Sequence, residues 1–350
     1  MVTLGPSGDV GNPDGLIPEE LGFMCGIEIH QQLSSGKLHS RQDGLLYELN
    51  LKEIPNDWNR VRRKQRAARG EEGKIDTAAV FEQKRNRSFI YVQTPNSGLI
   101  ELDEAPPLPL DPKALETTLQ ISAMLNATPA PHLQVMRKTV VDGSNTSGFQ
   151  RTTLVATGGK FEVEGTEVGI SVICLEEDSA RKLGEQTNPE GQEVTYSLDR
   201  LGIPLVEIAT DPDIISPEHA EAVSRYLGGR LRDTRSVRRG LGSIRQDLNV
   251  SIACGDRVEI KGCQDLEWIP RIIRIEMARQ LHFFRLANEL RAKQGYEPLP
   301  DDRRLDDEED EARIRTLVEK ILGGGILDIT ETLEGIETKM IASAIRSDHG

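Results

Sequence analysis

The sequence predicts an α+β fold. Two observations carry that expectation. Runs with a period of two, the signature of half-buried strands, recur from Phe23 to Lys261. Between and after them lie segments that open on an Asp or Ser cap and continue as helices. At 350 residues the chain is long enough for a full core and more than one domain.

The clearest strands lie within Gly240–Gly262, GLGSIRQDLNVSIACGDRVEIKG. Ile244, Leu248, Val250 and Ile252 fall on one side, and Arg245, Asp247, Asn249 and Ser251 on the other. Val258 and Ile260 alternate with Glu259 and Lys261 in the same way. A three-residue loop, Cys254-Gly255-Asp256, would pair Ile252 with Val258 and Val250 with Ile260, keeping apolar with apolar. The product is a ribbon with a packed back and a polar front of Arg245, Asp247, Asn249, Glu259 and Lys261. This register separates Asp247 from Glu259 by roughly 14 Å at about 3.4 Å per residue. The same pattern also fits a hairpin whose front is merely solvated.

The remaining elements follow in order. Met1 to Gly15 is rich in Gly, Pro and Asp and reads as a flexible tail, taken to residue 20. Phe23 to His30 reads as a strand with Glu28 and His30 on one face; such a pair can ligate a cation or act as acid and base, or be an ordinary polar face. Arg60 to Arg69 carries six Lys/Arg and no acid, suited to phosphate contacts or to a solvated helix. Ser88 to Gln93 is strand-like, and Glu101 to Pro109 is an extended Pro-rich connection. Asp111 caps a helix that begins at Pro112 and runs to about Leu125. Two strands within Leu133–Ala156 flank the loop Asp142 to Gly148, whose Ser144, Asn145, Thr146 and Ser147 suit phosphate or ribose, or form a plain turn. No Walker loop is present.

Val168 to Cys174 reads as a strand that delivers Glu176, Glu177 and Asp178 at its end; adjacent acids suit Mg²⁺ or a solvated strand end. Thr195 to Thr210 contains a turn at Leu201-Gly202 and a buried strand carrying Glu207. Ser216 caps a helix from Pro217 to about Arg232, and further arginines to Arg239 make a second basic stretch. Asp265 caps a long helix with one apolar side, from Ile269 through Ile272, Ile273, Met277 and Leu281 to Phe284. Asp301 to Asp310 reads as an acidic linker and Arg313 to Leu322 as a helix.

Composition narrows the function. There are 43 Lys+Arg against 57 Asp+Glu, a net charge of −14, so the chain is not a generally basic nucleic-acid binder. Four cysteines without CxxC spacing point to reduced thiols in a cytoplasmic protein, not to a zinc site or a disulfide framework. No run is long enough to span a membrane, and no secretory signal pattern opens the chain.

Six motifs, in order, carry a specific resemblance: GIEIHQQL (Gly26–Leu33), VMRKTVVDGSNTSGFQRT (Val135–Thr152), LEED (Leu175–Asp178), YSLDRLGIPLVEIATDPDI (Tyr196–Ile214), RGLGSIRQDLNVSI (Arg239–Ile252) and VEIKG (Val258–Gly262). On them the chain resembles the family of glutamyl-tRNA(Gln) amidotransferase subunits that comprises the archaeal E subunit and, more distantly, the bacterial and organellar B subunit. The resemblance covers about Leu21 to Leu290.

The resemblance implies a cradle domain related to glutamine synthetase over residues 21–295, with a mostly antiparallel sheet and flanking helices. Residues 296–350 then read as the acidic linker and the truncated start of a following domain. It implies ATP and Mg²⁺ as cofactors, Glu-charged tRNA(Gln) as substrate, and an asparaginase-type, GatD-like glutaminase partner that supplies ammonia within a hetero-oligomer. On this basis Glu28, His30, Glu176, Glu177, Asp247 and Glu259 are expected around the metal. Arg245 and Lys261 are expected on the phosphoryl oxygens. Ser144, Asn145, Thr146, Ser147, Arg151 and Glu207 are expected on nucleotide or substrate. Leu38-His39-Ser40 stands where the family usually has cysteines. Two other readings remain open. A carboxylate–Mg²⁺ hydrolase would not need Glu-tRNA(Gln) to turn over ATP, and a tRNA-binding scaffold would be indifferent to loss of the named acids.

Overall fold

The computed structural model describes residues 5–64, 80, 85–189 and 191–303. The parts of the basic run (65–69) and acidic linker (304–310) outside those ranges, and the expected helix Arg313–Leu322, lie outside the described residues. The chain divides into two compact units. The larger comprises Met24–Asn249 and Val258–Pro270; the smaller comprises Met1–Phe23, Val250–Arg257 and Arg271–Gly350.

The larger unit is built on two sheets. Its strands are β1 (Met24–Gln32), β2 (Arg60–Arg63), β3 (Arg87–Val92), β4 (Thr128–Pro129), β5 (Val135–Thr139), β6 (Phe149–Val163), β7 (Thr166–Glu177), β8 (Arg181–Asn188), β9 (Gly191–Ser197), β10 (Pro204–Thr210), β11 (Ile244–Ser251) and β12 (Val258–Ile260). The main sheet has the order β12-β11-β1-β10-β7-β6-β4, with β5 also pairing β6. The pairs β1–β10, β10–β7, β7–β6 and β6–β5 are all antiparallel. The second sheet, β2-β3-β9-β8, contains the parallel pair β3–β9. Phe89, Tyr91, Val194 and Tyr196 form its core. The expected α+β class with a mostly antiparallel sheet is therefore correct.

Helix α1 (Pro112–Met124) starts where Asp111 accepts from the Ala114 amide, and α2 (Pro217–Asp233) where Ser216 accepts from the His219 amide. Both caps are those read in the sequence, because a cap is a local hydrogen bond. Both helices pack on the main sheet, α1 on β6 and β7, α2 on β1 and β6. One face of that sheet is therefore apolar: Ile27, Ile29, Ile173, Leu175, Val206 and Ile208 are buried.

Three expectations shift. Arg60 to Arg63 is a strand, not a helix, because Val61 packs against the aromatic core of the second sheet while Arg60 and Arg62 alternate outward. The three acids after Cys174 do not all follow a strand end; Glu176 and Glu177 lie on β7 itself. Asp265 caps a 3-10 turn, Leu266–Trp268, and α3 (Ile269–Lys293) begins only after it.

In the smaller unit the segment expected to be a tail carries two 3-10 turns, Pro13–Gly15 and Glu19–Leu21, with Leu16 and Leu21 buried. Arg285 donates to the Gly8 and Pro6 carbonyls, and Arg271 pairs with Asp14. Gly- and Pro-rich composition does not reveal such tethers, since they are made by residues far along the chain.

Candidate active site

The uncovered face of the main sheet gathers its acids where β1, β10 and β7 run side by side. His30 on β1 stands opposite Glu207 on β10, and Glu176 on β7 stands opposite Leu205. Alternation puts Glu28, His30, Glu176 and Glu207 on that one face. His30 Nε2 lies 2.9 Å from Glu28 Oε1, and His30 Nδ1 lies 3.7 Å from Glu176 Oε2 and 3.9 Å from Glu207 Oε2. Glu28, His30 and Glu207 each offer a ligand atom, all within 4.8 Å of one another. Thr152 on β6 donates to Glu176 Oε1 at 2.7 Å, and Gln150 donates to Oε2 at 3.2 Å. Lys138, reaching in from β5, lies 3.6 Å from Glu176 and 3.8 Å from Glu207.

The electrostatics fit a cation. Burial, then the Glu176 charge, push the Glu207 carboxyl up to about 7. Burial works against Glu176 as well, but bonds from His30 and Thr152 and the Lys138 ammonium hold it low. Burial also opposes charge on His30, yet its bonds to Glu176 and Glu28 raise it to about 9. Glu207 Oε2 is buried with no hydrogen-bond partner. An orphaned carboxylate oxygen beside a second acid and an imidazole is a donor set that a divalent ion completes.

A second polar group lies on β11 and β12. Lys261 Nζ contacts Asp247 Oδ2 at 3.4 Å and Glu259 Oε1 at 2.6 Å. One ammonium bridging both acids rules out the separation of roughly 14 Å that the expected register required. The register also differs. Six residues, 252–257, separate the strands, the Cys263 amide donates to the Gln246 carbonyl, and Gly262 (φ 78) turns the chain so that its amide meets Asp247 Oδ1. A longer loop and a left-handed glycine are invisible to an alternation rule. Arg245 is held by Asp178 at 2.9 Å, beside Gln32, which donates to Asp178 Oδ2.

Other expected site residues go elsewhere. Glu177, next in sequence to Glu176, points to the opposite face, where Arg151 holds it at 2.9 Å; the pleat separates the two acids. It is not part of the cluster. The loop hydroxyls are already used: Ser144 donates to Asp142, Thr146 to the Glu101 carbonyl and Ser147 to the Phe149 carbonyl. Asn145 is buried. Thr146, Ser147, Arg151 and Glu177 line a small cavity with His39 and Glu101, away from the cluster. Glu207, expected on nucleotide or substrate, is instead a cluster acid. Lys138 was missed, though its signal is a lysine at alternate phase to Arg137 on a strand.

The family described as the GatB/GatE catalytic domain matches residues 23–347. The chain is 45% identical over 329 residues to the E subunit of glutamyl-tRNA(Gln) amidotransferase from Thermococcus gammatolerans, covering 94% of this chain and 47% of that protein. It is 48% identical over 281 residues to the protein of that name from Pyrococcus furiosus (80% of this chain, 43% of that one). The Methanosarcina acetivorans protein is 47% identical over 278 residues (79% and 42%). The chain thus spans less than half the length of these relatives.

Proposed function

Because the chain belongs to the GatB/GatE catalytic domain family, we propose that it is the carboxylate-activating part of a glutamyl-tRNA(Gln) amidotransferase. The γ-carboxylate of Glu esterified to tRNA(Gln) attacks the γ-phosphorus of ATP, giving a γ-glutamyl phosphate and ADP. Ammonia then attacks the acyl carbon, phosphate leaves, and Gln-tRNA(Gln) results after loss of a proton. A glutaminase of the GatD-like, asparaginase type is the ammonia source, so the working enzyme is a cytoplasmic hetero-oligomer. The named relatives support the amidotransferase reading.

The observation that carries the reading is the cluster of Glu28, His30 and Glu207 on the open sheet face. These three would hold Mg²⁺, with Glu176 fixing His30. The chemistry a bound Mg²⁺ supplies is neutralisation of charge on the transferring phosphoryl oxygens. The chain's own residues position and balance. Lys138 sets a positive charge against Glu176 and Glu207. Lys261 holds Asp247 and Glu259 together and carries an exposed ammonium to the same face. Arg245, oriented by Asp178, is the guanidinium available to an anionic substrate group. Little covalent chemistry is asked of the protein; orientation dominates.

The test is ADP formation by this chain with ammonium as donor, with and without Glu-tRNA(Gln). ADP formation that requires the charged tRNA is expected. ATP turnover indifferent to Glu-tRNA(Gln) would overturn the reading in favour of a hydrolase. Full activity in both Glu207→Gln and His30→Ala would remove the cluster from it.

A further inference from the structure

Helix α3 is apolar on two sides, and only one of them is covered. Ile273, Met277, Leu281 and Phe284 are buried in the smaller unit. Ile275, Phe283, Leu286 and Leu290 lie within about 80° of one another around the helix, at about 100° per residue. These four are between 36% and 55% exposed. Arg279, the polar residue within that stripe, lies along it: Glu276 holds its guanidinium at 2.7 Å, over the Phe283 ring at 5.4 Å. Its aliphatic stem extends the apolar surface. Single exposed apolar side chains are ordinary, but an aligned stripe about 22 Å long marks a docking surface.

The sequence beyond the described residues supplies a match. Ile314, Leu317, Val318, Ile321 and Leu322 recur at i, i+3, i+4, i+7 and i+8. The helix expected at Arg313–Leu322 would therefore carry one apolar face, about 15 Å long. A helix that short is not stable alone in water and needs a surface to pack on. The stripe is within its reach. The Arg303 amide donates to the Ala253 carbonyl, and the neighbouring Ile252 amide to Gln280, so the described chain ends level with the middle of α3. Residues 304–310 can extend to about 23 Å, enough to pass around a helix about 10 Å wide. Charge favours that return: α3 carries six Lys/Arg against two Glu, whereas Asp301–Asp310 carries seven acids against two arginines. The same excess opposes a second copy docked stripe to stripe, since that would set two basic helices side by side.

We infer that Arg313–Leu322 of this same chain is the occupant of the stripe, packed on α3 as a second helix with Leu317 and Ile321 over Phe283 and Leu286. An occupant on the same chain has an effective concentration that a free partner lacks, because the tether between them is short. The proposal does not depend on the reaction assigned to the main sheet.

The experiment is hydrogen–deuterium exchange of the whole chain, read by mass spectrometry on peptides covering residues 313–322. Protection of those amides is expected in the parent. It should fall by more than about tenfold in the double variant Phe283→Asp/Leu286→Asp and persist in Ala292→Asp, an exposed substitution on the other side of α3. Phe283 and Leu286 are exposed, so the β6 and β7 peptides of the double variant should exchange as in the parent. Exchange of residues 313–322 at the rate of unstructured chain in the parent overturns the proposal. So does protection that survives the double variant, or that is lost equally in Ala292→Asp. Protection that disappears on dilution also overturns it, in favour of a second copy.

Discussion

Single residues on the open face carry charges that the fold alone leaves uncomfortable. Glu207, raised to about 7 from 4.5, adds stability while protonated and loses that contribution as pH rises through 7. His30, raised to about 9 from 6.5, stabilises the fold fully below 6.5 and ceases to do so as pH passes 9. Without divalent ions, the melting temperature should therefore fall from pH 4.5 to 7 through Glu207, a part lost in Glu207→Gln, and from pH 6.5 to 9 through His30. A flat or rising profile over that range would contradict the cluster's electrostatics. Ion binding runs the other way, because the proton on His30 competes with it. Mg²⁺ affinity measured calorimetrically should rise with pH toward 9, with proton release. Glu207→Gln should weaken it by at least about 10- to 100-fold, the scale seen when support to a metal site is lost. Lys261→Met, by contrast, removes a mostly exposed ammonium and should change stability by under about 1 kcal/mol. On the proposed function, its effect belongs in the rate of phosphorylation.

Elements place these residues, and their ends are where the chain is most sensitive. Ser216 satisfies the His219 amide at the start of α2, which backs β1 and so the strand of Glu28 and His30. Ser216→Ala should cost about 1 kcal/mol by urea denaturation. The loop from β5 to β6 depends on Gly143. Its φ of 86° is left-handed, and a Cβ there would collide with the Phe89 ring. The adjacent bonds from Tyr91 to the Gly143 carbonyl and from Tyr196 to the Asp142 carbonyl tie this loop to the second sheet. Gly143→Ala should cost more than the roughly 1–2 kcal/mol of a left-handed alanine, since the Phe89 ring must also move. An unchanged denaturation midpoint would mean that the loop relaxes freely. The loop thus joins two sheets, and its Ser144, Thr146 and Ser147 hydroxyls donate within the chain.

For the molecule as a whole, ligand and charge set the expectations. If Mg²⁺ binds only the folded cluster, a hundredfold excess over its Kd should add about 2.7 kcal/mol of stability. The corresponding rise in melting temperature should vanish in Glu207→Gln. The chain's net charge of −14 opposes RNA. Phosphate contacts must come from local arginines such as those from Arg225 to Arg239, so tRNA binding should be weak. Its salt dependence should correspond to fewer than about five phosphates, and tRNA(Gln) should be barely preferred over tRNA(Glu). Filter binding of both tRNAs at matched salt checks this. Tight, selective binding would place recognition within these 350 residues.

Much of the fold was legible because its signals are local. The caps at Asp111 and Ser216, the period of two on β1, β10 and β11, and the buried stripe of α3 each depend on neighbours a few residues apart. The sequence by itself also determined that Glu28 and His30 share a face, and its motifs pointed to the family. It could not determine which acids meet. Glu176 and Glu177 are adjacent in sequence and separated by the pleat, whereas Glu28, Glu176 and Glu207 are distant in sequence and joined by the order β1-β10-β7. Strand order and register are long-range choices, made by burying Ile29 against Ile208 and Val206 against Leu175. Only the tertiary structure decided which acids cluster, because packing on the apolar face fixes what the polar face brings together.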